Sequence, residues 1–256
     1  MGLFDFLKPK ETPPSPAQAA PEPYLGDLEK TGKLFELVET PHSERDEAWD
    51  AAFLSNVAAA SFRCGNPQVI QGPDGFPYVP LLLPESGVGF QCYVIDRMKD
   101  DFLLEKGFGV VVNPTQTVAD WVLTYGDILN LHLNNEFYTT TETPFSKGLG
   151  DEEIVGNEQV MIGQPAEALL PQVARTVLSE FLKGAGVAAP KVLLLMRQQR
   201  AGAGVSQDLV FNLTPKDFAD EDTYRRVMQQ LAWFLPRHYS FVGLDETAIE
   251  DGFMPL

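Results

Sequence analysis

Between Val160 and Leu213 the hydrophobic pattern passes from a helical repeat to a strict alternation, and this passage constrains the fold more than any other feature. From Pro165 onward, Leu169, Leu170, Val173, Val177, Leu178, Phe181 and Leu182 recur at helical spacing, and Pro165 suits a first turn in which its missing N–H is not needed. Gly184 and Gly186 then predict the end of that helix. Lys191 to Arg200 is too apolar in its first half for an exposed strand. An Ala-Gly-Ala-Gly turn at 201–204 leads into Val205 to Leu213, where Leu209, Phe211 and Leu213 alternate with polar neighbours. The pattern predicts a hairpin with one buried face.

Downstream, Thr214-Pro215-Lys216-Asp217 reads as a capped helix entry, in which Pro takes the first turn and Asp reaches back to the freed amides. Tyr224, Val227, Met228, Leu231, Phe234 and Leu235 then recur every three or four residues until Pro236, and His238 to Val242 predicts one more strand. Residues 159–256 therefore read as an αββαβ module whose two helices cover one sheet face.

The chain before this point reads as a second module, residues 24–158. Leu25, Leu28, Leu34, Phe35 and Val38 predict a helix ended by Pro41. Ser43 with Asp46 caps another, which carries Trp49, Ala52, Phe53, Val57 and Ala60 on one face. From Gly65 the pattern becomes extended, with a Gly-Pro-Asp-Gly turn at 72–75. Pro77 and Pro80 within Phe76 to Leu83 argue for an edge strand or a meandering loop. Gly89 to Ile95 predicts a strand, Asp96 to Lys106 a helix, Phe108 to Val112 a buried strand and Asp120 to Leu123 a short one. Thr124-Tyr125-Gly126-Asp127 is a capping box opening a helix. Residues 139–158 form an excursion. The fold class is α+β, two modules of mixed sheet with covering helices.

A Pro-rich extension precedes both modules. Residues 9–23, PKETPPSPAQAAPEP, read as a disordered, semi-stiff linker. Ahead of it, residues 1–8 form a short amphipathic segment with Leu3, Phe4, Phe6 and Leu7 close together. Burying those four side chains is worth about 1.5–3 kcal/mol each, whereas ordering the eight-residue segment costs roughly 1–2 kcal/mol per residue in backbone entropy. The two nearly cancel, so this segment alone gives no stable membrane anchoring. Phe6 stands where a myristoylation signal needs Ser or Thr. Docking onto a protein groove or onto its own body is the expected use.

Charge narrows the function classes. With 36 acidic against 19 basic residues and a net charge of −17, the chain lacks the basic surface that displaces counterions from nucleic acid. No nucleic-acid partner is expected. Two cysteines, Cys64 and Cys92, exclude a disulfide framework. Without a signal peptide or an apolar run of spanning length, the chain reads as cytoplasmic.

GFGVVVNP at 107–114, DWVLTYGDIL at 120–129 and VMIGQPAE at 160–167, with the helix and hairpin behind it, resemble the two halves of the SseB family of bacterial proteins, associated by name with enhanced serine sensitivity. The likeness covers about two thirds of the chain, and its motifs are structural: a buried strand ending in Asn-Pro, a capped helix, a Gly-x-Pro helix entry. It implies a cytoplasmic bacterial accessory protein with two α+β modules and no catalytic residues to transfer. The Pro-rich extension and the two helices before residue 65 depart from it.

His42, His132 and His238 are far apart in sequence, and a metal site would need two of them to converge with carboxylates. Cys64 has no neighbouring His to activate it, and Cys92 alternates within a presumed strand as core. GAGVAA at 184–189 follows a helix and precedes a strand, the reverse of a dinucleotide fingerprint. There is no G-x-S-x-G elbow and no P-loop. Asp151 to Glu153 and Asp217 to Asp222 lack calcium-loop spacing. No catalytic, cofactor-binding or metal-binding residue is therefore predicted, and no cofactor. The candidate interaction residues are Leu3, Phe4, Phe6, Leu7 and the polar-aromatic run Arg237, His238, Tyr239. The leading expectation is a non-enzymatic module presenting an acidic body to a protein partner. The alternatives are an enzyme with a site at the interface of the two modules, and a peripheral protein docked through its first residues.

Overall fold

The computed structural model describes residues 25–115, 118–146, 160–198, 205–249 and 252–256. The N-terminal segment and its Pro-rich linker, including Leu3, Phe4, Phe6 and Leu7, lie outside the described residues, as does the expected module boundary at 158/159. The fold is α+β, with two mixed five-stranded sheets.

Helices α1 (Leu28–Val38) and α2 (Glu47–Val57) open the first half. Asp27 caps α1 by accepting from the Glu29 and Lys30 amides, and Asp46 alone caps α2 by accepting from the Trp49 amide at 2.9 Å. Ser43 instead sits in a separate 3-10 turn, His42–Glu44. Strands β1 (Arg63–Cys64) and β2 (Ile70–Gln71) both pair antiparallel with β3 (Pro77–Leu82), which runs parallel to β4 (Gly109–Val112); β5 (Trp121–Leu123) closes that side. A parallel neighbour needs a long crossover. It is supplied by α3, a continuous rod of Ile95–Met98, a π-helical turn Lys99–Leu103 and Leu104–Lys106, ended by Gly107 at φ 69°.

The strand β3 corrects two expectations. It is neither an edge nor a loop but lies inside the sheet, because Pro80 faces the gap between β1 and β2, where no ladder bond is required of it. The Gly65 amide donates to the Pro80 carbonyl at 2.7 Å, and the Pro80 ring fills the space a Gly65 Cβ would need, 2.9 Å from its Cγ. The strand expected over Gly89 to Ile95 does not form; only Tyr93 bridges to Phe62. Cys92 accordingly lies half-buried in irregular chain rather than in a strand core.

Helix α4 (Tyr125–Asn134) begins as expected. Thr124 Oγ1 accepts from the Asp127 amide at 3.2 Å, and the Asp127 carboxylate accepts from the Thr124 amide at 2.9 Å. In the second half β6 (Val160–Gly163) precedes α5 (Gln172–Gly184). The helix starts after Pro171 rather than at Pro165; residues 165–170 instead form turns whose carbonyls at Pro165 and Leu170 accept from the buried Arg175 guanidinium. The hairpin β7 (Lys191–Gln198) and β8 (Val205–Phe211) is in place, and β8 runs parallel to β9 (Phe241–Gly243). Thr214–Asp217 forms a 3-10 turn with its own capping box, and α6 (Glu221–Phe234) begins later, capped by Asp220. Both β6 and β10 (Met254–Pro255) pair along the free edge of β7.

The hairpin is buried on both faces, not one. On one side Leu194, Leu209 and Phe211 join the main core; on the other Leu193, Leu195 and Val210 pack with Phe253, Leu244 and Ile249 of the returning C-terminal segment. The main core is continuous from Leu34 to Tyr239 and contains side chains of both sheets. Its middle is aromatic. Trp233 stacks on Phe76 with centroids 4.2 Å apart, stands edge-on to Tyr78, and donates from Nε1 to the Tyr78 hydroxyl at 2.7 Å. Among the described residues no helix is long and apolar enough to cross a membrane.

Candidate functional site

Arg237, His238 and Tyr239 are consecutive but serve different neighbours. The Arg237 guanidinium grips the Asp127 carboxylate with Nε–Oδ1 2.8 Å and Nη2–Oδ2 3.0 Å, joining the exit of α6 to the first turn of α4. It also lies 4.1 Å over the Tyr138 ring and donates to the Tyr138 hydroxyl at 3.1 Å. Asp127 is fully buried, so one carboxylate both caps α4 and holds the two halves in register. Burial, then the negative charge of Asp127, pushes the Tyr138 phenol up to about 12. Tyr239 is buried, stacks on Phe145 at 4.1 Å and donates to the Leu169 carbonyl at 2.8 Å. His238 stands edge-on to both rings, and burial lowers its pKa. The three residues thus clamp loops together, and Arg237 alone presents a large exposed face.

His42 and His132 are likewise engaged structurally. His42 lies 3.8 Å from Asp120, and His132 2.8 Å from Asp100, so the histidines stand in separate places. Asp120 also accepts from Arg45 at 2.7 Å and from Asn113 at 2.7 Å. Asn113, at φ 46°, turns the chain at the end of β4 and accepts from the Leu83 amide, which explains why the Asn-Pro motif follows that strand. Among the described residues no three His, Cys, Asp or Glu side chains converge on a metal position. Where the halves meet, Tyr125 and Phe234 lie beside Trp233.

A concave surface lies elsewhere, along the β1–β2 edge of the first sheet. Two adjoining hollows of about 360 and 410 Å3 share Cys64, Gln68 and Tyr93. The larger is walled by Val69, Val79, Phe102 and Phe108, with Lys106 at its lip. The smaller is bounded by Val88 and Phe90 and by the Arg63–Glu85 ion pair. Val69, Val88 and Phe90 are 40%, 54% and 41% exposed, so the groove offers apolar area to water rather than hiding it. Phe102 belongs to the π-helical turn of α3, a local departure common at functional positions. Burial pushes the Cys64 thiol pKa up, which keeps it a poor nucleophile. The groove gathers three stretches, 63–69, 85–93 and 102–108, none of which carries a motif that marks a site in the sequence. The available signal was Val88-Gly89-Phe90, an apolar pair flanking glycine in a polar loop, which instead read as the start of a strand.

No protein-family model, curated protein or solved structure matches this chain.

Proposed function

We propose that this chain is a non-enzymatic protein-interaction module, an accessory protein of the kind its SseB-like motifs imply, which holds an apolar segment of a protein partner in the groove along β1 and β2. The reading is supported by one observation above the others: Val69, Val88 and Phe90 stand exposed around a concave, largely apolar surface at a sheet edge. The net charge of −17 favours a partner whose apolar segment is flanked by basic residues, with charge steering the encounter and burial of apolar area holding the complex. A cytoplasmic location accompanies this reading.

The test is selection from a random peptide library on the immobilised full chain. Enriched peptides should carry Phe or Leu beside Lys or Arg, and their binding should fall at least tenfold on Val88→Asp or Phe90→Asp. The control Val242→Asp, on the 45% exposed Val242 of β9, should leave binding unchanged. Peptides that bind all three variants as well as the wild type would remove the groove from the reading.

A further inference from the structure

The groove's first ligand is present in the same chain. We propose that residues 3–7, Leu-Phe-Asp-Phe-Leu, dock in the groove of their own molecule, so that an incoming partner must displace them. This rests on the groove being a peptide site, and it names the segment that occupies that site at rest.

Three observations point to it. The described chain begins beside the groove: the Leu25 carbonyl accepts from Ser61 Oγ, Gly26 packs against Ala59, Ser61 and Val94, and Asp27 bridges to Ala60. Phe62, bonded to Tyr93 through both backbone groups at 2.8 Å, then leads into Arg63 and Cys64 at the groove itself. The tether is long enough, since residues 8–24 span at most roughly 60 Å when extended.

The chemistry also matches. The segment offers Leu3, Phe4, Phe6 and Leu7 to a hollow walled by Val69, Phe102 and Phe108. Lys8 and Lys10 follow as the basic flank that the acidic body favours; Lys106 at the lip already donates to Glu105 at 2.7 Å, so Asp5, between the two phenylalanines, adds at most a second, shared contact there. These are the features argued above for a partner peptide. Tethering sets the effective concentration near 1 mM. A segment whose free-peptide dissociation constant is about 0.1 mM would therefore leave the groove open about a tenth of the time.

Cys64 lines both hollows and reports on their occupancy. In the full chain carrying Cys92→Ser, alkylation of Cys64 by iodoacetamide at fixed pH should be about tenfold slower than in the same chain carrying Phe4→Ser and Phe6→Ser. A synthetic peptide of residues 1–10 at millimolar concentration should slow the second protein again. Val69→Glu, at a 40% exposed position, should abolish protection with the segment intact. Protection that grows with protein concentration would place the segment in a second copy and overturn docking within one molecule. Equal rates with and without the phenylalanines, while added peptide still protects, would overturn self-docking and leave the groove a peptide site. Equal rates with no protection by peptide would overturn both.

Discussion

Gly126→Ala separates tertiary packing from helix propensity by the sign of its effect. Gly126 lies in the first turn of α4, where alanine is favoured over glycine by about 1 kcal/mol in an unencumbered helix. A Cβ at this position would stand 2.0 Å from the Leu235 carbonyl oxygen, 2.5 Å from its carbonyl carbon and 3.0 Å from its nitrogen. Comfortable carbon contacts begin near 3.5 Å, so the Leu235 backbone must retreat by on the order of 1 Å. It has nowhere to go, because Phe234, Leu235 and Pro236 are all buried. Retreat would also pull Arg237 from Asp127, whose two bonds are 2.8 and 3.0 Å long. Overpacking of this kind costs about 1–3 kcal/mol, and the disturbed, partly solvated ion pair adds up to about 1 kcal/mol. Against the helix gain of about 1 kcal/mol the net runs from about zero to a loss of about 3 kcal/mol, and each kcal/mol lost lowers Tm by roughly 2–4 °C in a chain of this size. Urea and thermal unfolding of the full chain measure it. Gly184→Ala, in α5 with nothing within 4 Å, is the control and should be neutral or stabilising. A Gly126→Ala protein stabilised by about 1 kcal/mol, the gain an unencumbered helix gives, would refute the claim that α4 abuts the Leu235 backbone.

Tyr239→Phe removes one hydrogen bond to the Leu169 carbonyl and keeps the stack on Phe145; unfolding should show a loss of about 0.5–1.5 kcal/mol. His238 is held by burial below its unfolded value, so the folded state resists its protonation and the unfolded state binds more protons in that window. Its stabilising contribution is fully present above the unfolded pKa of about 6.5 and declines as pH falls through the window below it. His238→Gln should therefore flatten the dependence of the urea midpoint on pH between about 5.5 and 7. An unchanged slope would show that the ring is as well solvated as in the unfolded chain.

What could be read from the sequence was whatever the chain decides locally. The box Thr124 to Asp127 is complete within four residues, and it formed as written. Pro80 misled because a proline's fitness for an inner strand depends on its neighbour, here the break between Cys64 and Ile70, which no window around residue 80 contains. The second buried face of the hairpin shows in the unbroken apolar run Val192 to Met196, but its cover does not, since Phe253 arrives from the far end of the chain. The structural role of Arg237 was not legible locally, because its carboxylate partner lies at Asp127, in the other half. The groove was the least legible feature. The parallel crossover through α3 is what brings Phe102 and Phe108 to Val69, and apolar residues in loops carry no periodicity to mark them.

The interruption opposite Pro80 bears on how this molecule avoids its own kind. A long, flat rim would recruit the extended backbone of any passing chain, the usual route to fibrous association. Here the rim consists of two strands of two residues each, separated by residues 65–69, and behind that break stands a proline that can donate nothing. Whatever settles there must be held by its side chains, so selection falls on shape and charge, and indiscriminate backbone zippering is denied a foothold.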